Sequence, residues 1–454
     1  MKASTGRLGQ YKLLNLNESI SKYLIKRELL TEYSLRFFLD EYQSVVIQPV
    51  FGPEKIHIYS YKGQFKVVTS SEPDAILDKE AIYPYLLKNK LKQTYYIIQQ
   101  AISPLSSPSP FRFFISVYRP TPLADWLIKD KTEVEQSFLS RIFFTYFRST
   151  IEQLIFLTAA ELGKSYPNCH CIVFDISCDL QGEIWIHDTI LHFSNSKWSQ
   201  YHIFRSSDEI SSYLPETDLC TKYTFKKYLL KYRDVIVKPC VGKEGIGIVK
   251  VSFINSHTCE IHTGRRKLKK SSIDEAYQFI EKTYLNKRYY LIQEKVSLAC
   301  INHCPFDVRV IVQKIHSNWK VMAKMVKVAG QGYFITNAAQ KLYFLEDALR
   351  ESNLSNLDTK QVQEKINKCC INAVKYLEEN NPSIDIVGFD IGISEKGEIF
   401  IIEGNYNPNL SMFYRLENNQ VFWDIQNAKL SSNSPTNHST SPEQIDENGS
   451  DSFE

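Results

Sequence analysis

Residues 235–251 read Val235-Ile236-Val237-Lys238-Pro239-Cys240-Val241-Gly242-Lys243-Glu244-Gly245-Ile246-Gly247-Ile248-Val249-Lys250-Val251. Two β-branched runs flank a loop, and they are predicted to be paired strands because Val and Ile suit a half-buried pleated surface. Gly242, Gly245 and Gly247 allow positive φ and bring backbone N–H groups close to phosphate oxygens. Lys238, at the end of the entering strand, would add a positive charge there. Taken alone, the stretch favours the simpler interpretation, a β-hairpin that has a glycine turn and a surface lysine.

Composition limits the class of protein. The chain has 454 residues, 43% hydrophobic and 13% aromatic, which predicts a globular protein with a large core. A net charge of +3 does not indicate nucleic acid or an anionic membrane as a partner. Residues 1–6 have no apolar signal core, and no apolar run is long enough for a membrane span. We therefore expect a cytoplasmic protein in the producing cell.

The ten cysteines are scattered along the chain. Cys169-x-Cys171, Cys300-x3-Cys304 and Cys369-Cys370 do not form the paired C-x2-C arms of a zinc site. Free, reduced and mostly buried thiols are the expectation.

An internal repeat relates the two halves of the chain. Shifted by 190 residues, Leu8–Gly52 aligns with Trp198–Gly242 without a gap, and 14 of 45 positions are identical. Residues 95–99 resemble 289–293, and residues 173–186 resemble 388–401 in their apolar pattern. The repeat predicts one fold used twice.

The differences between the copies concern candidate ligands. In the first copy, Gln48 replaces Lys238, and Lys55 and His57 replace Gly245 and Gly247. Arg112 and Phe114 replace Asp307 and Arg309, and Asp188 and Ile190 replace Glu403 and Asn405. The apolar strand pattern is kept. The first copy is therefore predicted to fold like the second and to bind no nucleotide.

Residue patterns in the second copy predict alternating helices and strands. Helices are expected at 221–232, 272–286 and 358–380, and strands at 289–293, 307–313, 319–328, 385–393 and 398–403. After about Lys429 almost no apolar residue remains, which predicts a disordered tail.

The last two predicted strands carry a candidate metal site. Asp390 lies inside one strand, and Glu403 and Asn405 end the next, where residues two apart share a face. Two carboxylates and an amide oxygen suit Mg²⁺, which also coordinates nucleotide phosphates. A turn-capping Asp390 and a Glu403 paired with a lysine form the alternative, although carboxylates left unpaired after apolar strands would be costly.

Three further groups are candidate contacts. Asp307 and Arg309 share a strand face, either as a structural ion pair or with Arg309 stabilising charge on a transferred phosphoryl group. Gln293-Glu294-Lys295-Val296 follows an apolar strand, as a hinge whose backbone meets an adenine edge would. Lys324 and Lys327 are candidates for phosphate contact, or they belong to a solvated face.

In order, these motifs resemble the ATP-grasp fold. More narrowly, Leu214-Pro215-Glu216-Thr217, Val237-Lys238-Pro239, Pro305-Phe306-Asp307-Val308-Arg309 and Glu403-Gly404-Asn405-x-x-Pro408 resemble the YheC/YheD family of endospore coat-associated proteins. The resemblance covers roughly residues 198–416, with a weaker echo over 8–193. It implies a nucleotide held between two α+β subdomains, and an origin in a spore-forming bacterium.

Relatives of this fold join a carboxylate to an amine through an acyl phosphate, using ATP and Mg²⁺. The resemblance thus implies a ligase with Lys238 and Arg309 as catalytic residues and Asp390, Glu403 and Asn405 as metal ligands. ATP would contact the residues Lys238, Gly242, Gly245, Gly247, Gln293, Glu294, Val296, Asp307 and Lys327. The carboxylate and amine substrates are not named by the sequence.

This chain departs from the family pattern at three places. It has Lys243-Glu244 where a small residue is usual, Lys327 where related ligases tend to have Arg, and Ala338-Ala339 near an expected Gly pair. These differences concern turnover more than ATP binding, so a non-catalytic scaffold of the spore coat, with other coat proteins as partners, is the second hypothesis. The expected organisation is α+β, with a degenerate ATP-grasp-like domain at 1–195, an ATP-grasp domain at 196–428 and the tail at 429–454.

Overall fold

The computed structural model describes residues 4–69, 73–91, 95–102, 111–133, 138–179, 181–337, 339–414 and 420–432. Helices and antiparallel sheets alternate along the chain. The first-half elements are α1 (Arg7–Leu14), α2 (Glu18–Ser21), β1 (Arg27–Leu29), α3 (Glu32–Tyr42), β2 (Ser44–Pro49), β3 (Ile56–Tyr61), β4 (Gln64–Thr69), β5 (Ala75–Leu77), α4 (Lys79–Asn89), β6 (Tyr96–Gln100), β7 (Phe111–Tyr118), β8 (Leu127–Glu133), α5 (Phe138–Ser165), β9 (Cys169–Cys178) and β10 (Ile184–Phe193).

The second half repeats much of this order and adds helices at its end. Its elements are α6 (Lys197–Arg205), α7 (Asp208–Ser211), β11 (Thr217–Leu219), α8 (Lys222–Tyr232), β12 (Asp234–Pro239), β13 (Val249–Phe253), β14 (Cys259–Thr263), β15 (Arg266–Lys270), α9 (Ile273–Ile280), a π-helical turn (Glu281–Leu285), β16 (Tyr290–Glu294), β17 (Cys300–Ile301), β18 (Cys304–Ile315), β19 (Asn318–Ala329), β20 (Ala339–Tyr343), α10 (Leu345–Glu351), α11 (Thr359–Asn380), β21 (Ile386–Ile393), β22 (Ile399–Asn405), α12 (Ser411–Tyr414) and α13 (Gln420–Ser432).

Each half contains a six-stranded sheet with the same strand order. The first runs β1-β6-β2-β3-β4-β5 and the second β11-β16-β12-β13-β14-β15. The register matches as well, since Gln48 lies opposite Ile97 in one sheet and Lys238 opposite Leu291 in the other.

The remaining strands form one further sheet in each half. The first has the order β10-β9-β7-β8, and the second has the order β20-β19-β18-β21-β22 with β17 paired to β18. Asp175 pairs with Asp188 in the first sheet, as Asp390 pairs with Glu403 in the second. The residues aligned by the sequence repeat therefore occupy matching positions.

Two helices, one in each half, begin with the same kind of cap. Thr31 and Thr221 cap α3 and α8 with side chains that accept from the N–H three residues later, and Ser34 and Thr224 complete the two capping boxes. Such caps satisfy N–H groups that the first helical turn leaves without partners. The signal that starts each helix is thus local and is present in both halves.

The largest apolar core cluster crosses between the halves. Tyr118, Cys171 and Val173 of the first half pack in one cluster with Trp198 and Phe306 of the second. The indole N–H of Trp198 donates to Ser116 Oγ at 3.2 Å. The first half therefore covers apolar surface of the second.

Most expected elements of the second half are confirmed to within a few residues. The helix expected at 272–286 is α9 followed by the π-helical turn. The tail is expected from 429, but α13 continues through Ser432, and residues 433–454 lie outside the described part. All ten cysteines are free, and eight are buried. None of the described helices is both long and apolar enough to cross a membrane.

Candidate functional site

A cavity of about 440 Å³ lies between the second six-stranded sheet and strands β18, β21 and β22. Most of the predicted site residues face it. The predicted residues on its wall are Lys238, Gly242, Gly245, Gln293, Glu294, Val296, Asp307, Asp390 and Glu403. Motifs spread over more than 160 residues of sequence are thus brought to one place.

Lys238 is buried in β12 beside the cavity. Its Nζ donates to Gln293 Oε1 at 2.9 Å and to the Ile402 carbonyl at 3.5 Å, and Gln293 Nε2 donates to Thr217 Oγ1 at 2.7 Å. Burial, assisted by nearby Lys197, lowers the pKa of Lys238 to about 8 against the pull of Glu403. A buried ammonium with only neutral hydrogen-bond partners favours an anionic ligand.

The loop between β12 and β13 adopts left-handed backbone at three positions. Glu244 has φ 58°, Gly245 φ 71° and Gly247 φ 81°. A Cβ at Gly245 would lie 2.8 Å from Ile335 Cδ1, and one at Gly247 would lie 2.7 Å from Tyr290 Oη. The expectation of positive φ at Gly242 is wrong. Its φ is ordinary, and close contact explains the residue, since a Cβ there would lie 3.0 Å from Pro239 Cγ.

Asp307, Arg309, Lys327 and Asp390 form a buried ion network. Arg309 donates to both Asp390 oxygens, from Nε at 2.7 Å and from a terminal nitrogen at 3.0 Å. Lys327 Nζ lies 3.0 Å from Asp390 Oδ1 and 3.2 Å from Asp307 Oδ1. The other Asp307 oxygen accepts from Thr336. Two cations thus balance two carboxylates, so the network is neutral.

The two carboxylates of this network have opposite pKa shifts. Burial alone would raise the pKa of Asp390, but Lys327 and Arg309 outweigh it and lower that pKa. Burial raises the pKa of Asp307, and the negative charge of Asp390 raises it further, whereas Lys327 lowers it in part. As the pH falls, Asp390 therefore stays ionised to a lower pH than Asp307 does.

The predicted metal ligands occupy neighbouring strands. Asp390 and Glu403 lie opposite each other in the β21–β22 pair, and both line the cavity. Asn405 Nδ2 donates to Glu403 Oε1 at 3.2 Å, and Lys197 Nζ lies 2.9 Å from Glu403 Oε2. Among the described residues, no group of three or more His, Cys, Asp or Glu side chains is arranged to hold a metal. The donors fit Mg²⁺ chemically if phosphate oxygens and water complete the set, because Mg²⁺ is commonly held by one or two carboxylates.

The expected hinge lies at the end of β16. The Glu294 N–H donates to the Glu216 carbonyl at 3.0 Å, and the Glu294 side-chain Oε1 accepts from the Glu216 N–H at 3.0 Å. Val296 follows on the cavity wall, in the link between β16 and β17. The Glu294 side chain is therefore used to hold the hinge to the start of β11.

Four predicted residues are not on the cavity wall, and one further candidate, Lys324, lies away from it. Arg309 and Lys327 sit behind Asp390, Asn405 contacts Glu403, and Gly247 packs toward Tyr290. Lys324 faces the other side of β19, in a pocket with Phe344 and Glu346, because three positions along a strand reverse the face. The Ala338-Ala339 departure falls partly on residue 338, outside the described residues.

Lys197 lines the cavity but is not among the site residues predicted from the sequence. Besides its pair with Glu403, its Nζ donates to the Gly242 carbonyl at 3.0 Å, so it ties the glycine loop to β22. Arg7 makes the matching contacts in the first half, to the Gly52 carbonyl at 2.6 Å and to Asp188 at 2.5 Å. The signal was present, since Arg7 and Lys197 immediately precede the aligned repeat and both are cationic.

A family model described as YheC/D-like ATP-grasp matches residues 190–431, just over half of the chain. The chain belongs to this YheC/D-like ATP-grasp family. Two curated relatives come from Bacillus subtilis. The endospore coat-associated protein YheD is 25% identical over 236 residues, covering 50% of this chain and 51% of the relative. The endospore coat-associated protein YheC is 24% identical over 234 residues, covering 49% of this chain and 62% of the relative. The chain thus spans between half and two thirds of each relative's length.

Solved structures give weaker likenesses to this YheC/D-like chain. An N5-carboxyaminoimidazole ribonucleotide synthetase in an ADP complex aligns with a TM-score of 0.32 and 14% identity, over 51% of this chain and 50% of that one. D-alanyl-alanine synthetase A from Vibrio cholerae aligns with a TM-score of 0.34 and 12% identity, over 52% and 64%.

Proposed function

We propose that the second half binds ATP with Mg²⁺ and ligates a carboxylate to an amine through an acyl phosphate, in a process linked to spore coat formation. The observation that carries this proposal is the convergence of Lys238, the glycine loop, Asp390 and Glu403 on one cavity. Family membership and the names of the two relatives support it.

Each group would have a distinct part in this reaction. The carboxylate oxygen attacks the terminal phosphorus of ATP and releases ADP, and the amine then attacks the acyl carbon and releases phosphate. Lys238 and the loop N–H groups would hold the phosphates, and the Val296 backbone would meet the adenine edge. Arg309 would position Asp390 or stabilise phosphoryl charge. Mg²⁺, held by Asp390, Glu403 and Asn405, would neutralise phosphate charge.

We further propose that the first half is a copy of the same unit that binds no nucleotide. The shared strand order and register support the duplication. Gln48 donates to Gln99 Oε1 at 3.1 Å where Lys238 donates to Gln293, so a neutral pair replaces the ammonium. Arg112 and Phe114 stand where the second copy has Asp307 and Arg309.

A non-catalytic coat scaffold is the second candidate, and one observation favours it. Arg309 and Lys327 already neutralise Asp390, and Lys197 neutralises Glu403. A fold that holds its acidic residues in internal ion pairs needs no metal to be stable. For catalysis, at least Lys197 and Lys327 would have to share the Glu403 and Asp390 carboxylates with Mg²⁺.

Calorimetric titration of the full chain with ATP and Mg²⁺ tests the nucleotide site. We expect Lys238→Ala to weaken binding by about 1–3 kcal/mol, which is roughly 5- to 150-fold, because a charge-assisted contact is lost. Lys226→Ala, at an exposed position of α8, is the matched control and should leave binding unchanged. No ATP-dependent thermal shift at millimolar nucleotide would contradict the nucleotide site.

A phosphate-release screen then separates ligase from scaffold. Wild type is incubated with ATP, Mg²⁺ and pairs of carboxylates and amines, and release should require both substrates. ATP binding without release for any pair would favour the scaffold.

A further inference from the structure

A second cavity, of about 220 Å³, lies between the two halves. One wall is the face of β7, β9 and β10 in the first half, and the opposite wall belongs to α9, the π-helical turn and the start of β16 in the second. Short π-helical segments inside helices are frequent at functional sites. Its first-half wall matches the β18, β21 and β22 wall of the candidate nucleotide cavity, and its volume is about half that of the nucleotide cavity.

Two carboxylates in this cavity are already neutralised. Arg112 Nε donates to Asp175 Oδ1 at 2.6 Å, and its terminal nitrogen contacts the other oxygen. Asp188 accepts from Arg7 at 2.5 and 2.9 Å and from Tyr289 Oη at 3.0 Å. The negative charges of Asp175 and Asp188 are therefore balanced by Arg112 and Arg7.

Two cations on the wall form no ion pair of their own with a described acidic residue. Lys55 is half-buried and Arg288 is exposed at the rim, and Glu281 is the one other charged wall residue outside the ion pairs. The wall therefore carries an excess of one positive charge. Burial and the neighbouring Arg112 lower the pKa of Lys55 to about 8, although the carboxylates of Asp175 and Asp188, which are already paired with Arg112 and Arg7, raise it in part.

His192 adds an unsatisfied polar atom to the same cavity. The side chain is 4% exposed, and its Nδ1 is 2.8 Å from Ser196 Oγ. Its Nε2 has no hydrogen-bond partner among the described residues. Buried polar groups in folded proteins are nearly always paired, so the unpaired nitrogen of this cavity-lining residue indicates a partner that the described chain does not supply.

We propose that this cavity binds a small oxyanion, a phosphate or a carboxylate carried by a molecule smaller than a nucleotide. Lys55 and Arg288 contact the anionic group, and His192 Nε2 forms a hydrogen bond with the same molecule. The volume is below that of typical drug-sized pockets and about half that of the candidate nucleotide cavity, so it suits a ligand smaller than a nucleotide. Because its walls come from both halves, the ligand stabilises the contact between them.

Calorimetric titration of the full chain with inorganic phosphate and, separately, with citrate tests this site and distinguishes the two sources of the anion. We expect one of them to bind. The variants Lys55→Met and Arg288→Gln should each weaken that binding at least tenfold. Lys55→Met preserves most of the side-chain volume and removes a half-buried charge, so the fold should be retained, which a thermal melt checks.

Two further variants make the result specific. Lys287→Gln removes an exposed charge next to Arg288 that does not line the cavity, and it should bind the anion as wild type does. Lys238→Ala should also leave anion binding unchanged, whether or not ATP binds, because Lys238 belongs to the other cavity. Loss of anion binding in Lys238→Ala, equal binding in Lys55→Met and wild type, or no binding of either probe at millimolar concentration would overturn the proposal.

Discussion

At the scale of single residues, Lys238 is a charged side chain buried beside the candidate nucleotide cavity. Its ammonium is buried among neutral acceptors, whereas Gln48 in the first half makes an uncharged pair at the matching position. Burying a charge without an ion pair of its own lowers the free energy of unfolding. Binding of the phosphates of a ligand would offset this cost. Lys197 and Arg7 illustrate the opposite case, because each is paired with an acid and a loop carbonyl in its own half.

The pKa of Lys238 predicts a pH-dependent effect on stability. Its folded value of about 8 is below the ordinary 10.5, so the folded protein holds this proton less tightly than the unfolded chain. The destabilisation is therefore full below pH 8 and fades between pH 8 and 10.5. Without nucleotide, Lys238→Met should be more stable than wild type at about pH 7, by about 1–3 kcal/mol, and the gain should shrink as the pH rises toward the ordinary lysine pKa.

Denaturant unfolding at several pH values measures this effect. Lys226→Met, which changes an exposed lysine of the same domain, should show no such trend. A Lys238→Met protein that is less stable than wild type at neutral pH would show that the hydrogen bond to Gln293 outweighs the buried charge.

At the scale of elements, the glycine loop combines backbone strain with close packing. Gly245 needs a positive φ and also space, since a Cβ there would approach Ile335 Cδ1 and come within 3.2 Å of Asn337 Cβ. The loop is thereby held against residues 335–337, beside the Thr336 that contacts Asp307. One glycine thus links the loop of the six-stranded sheet to the ion network of the neighbouring sheet.

Gly245→Ala should weaken ATP binding and lower the free energy of unfolding by about 1–2 kcal/mol, the cost of left-handed backbone for alanine. Gly63→Ala is the matched control, because Gly63 has φ 82° but a Cβ added there would meet nothing within 4 Å. It should lose stability through backbone strain alone, and so no more than Gly245→Ala, and its ATP binding should be unchanged. Equal effects of both variants on ATP affinity would show that the Gly245 contacts do not matter.

At the scale of the whole molecule, the two halves share a core. Trp198, Tyr118 and Val173 belong to one apolar cluster, and Tyr118 Oη donates to Asn380 at 3.3 Å across the halves. Burial of this kind is the main source of stability in the interface. The first half therefore acts at least as a cover for the second.

Deletion of the residues before Ser196 should expose this surface and make the remaining fragment poorly soluble. Gel filtration and thermal melting of the fragment, next to the full chain, measure the effect. A soluble, monomeric fragment with unchanged ATP affinity would show instead that the second half is an independent module.

Local sequence signals were enough for most elements of the second half, and the resemblance of the ordered motifs to the ATP-grasp fold gave the residues of the candidate site. The β-branched runs of β12 and β13, the capping Thr221 and the apolar face of α11 depend on neighbours within a few residues, so they can be read from sequence alone. The order of Lys238, Asp307, Asp390 and Glu403 likewise predicted that they would meet, and they line one cavity.

The partners of those residues were decided only by the tertiary structure. Three features depend on how distant segments pack together. They are the cations that neutralise Asp390, the face of β19 that carries Lys324, and the close contact that requires a small residue at Gly242. The cavity between the halves is the clearest case, because Lys55 and Arg288 are 233 positions apart and carry no shared pattern. Sequence periodicity reports on which side of an element a residue lies, whereas ion pairs and cavities depend on how whole elements pack against each other.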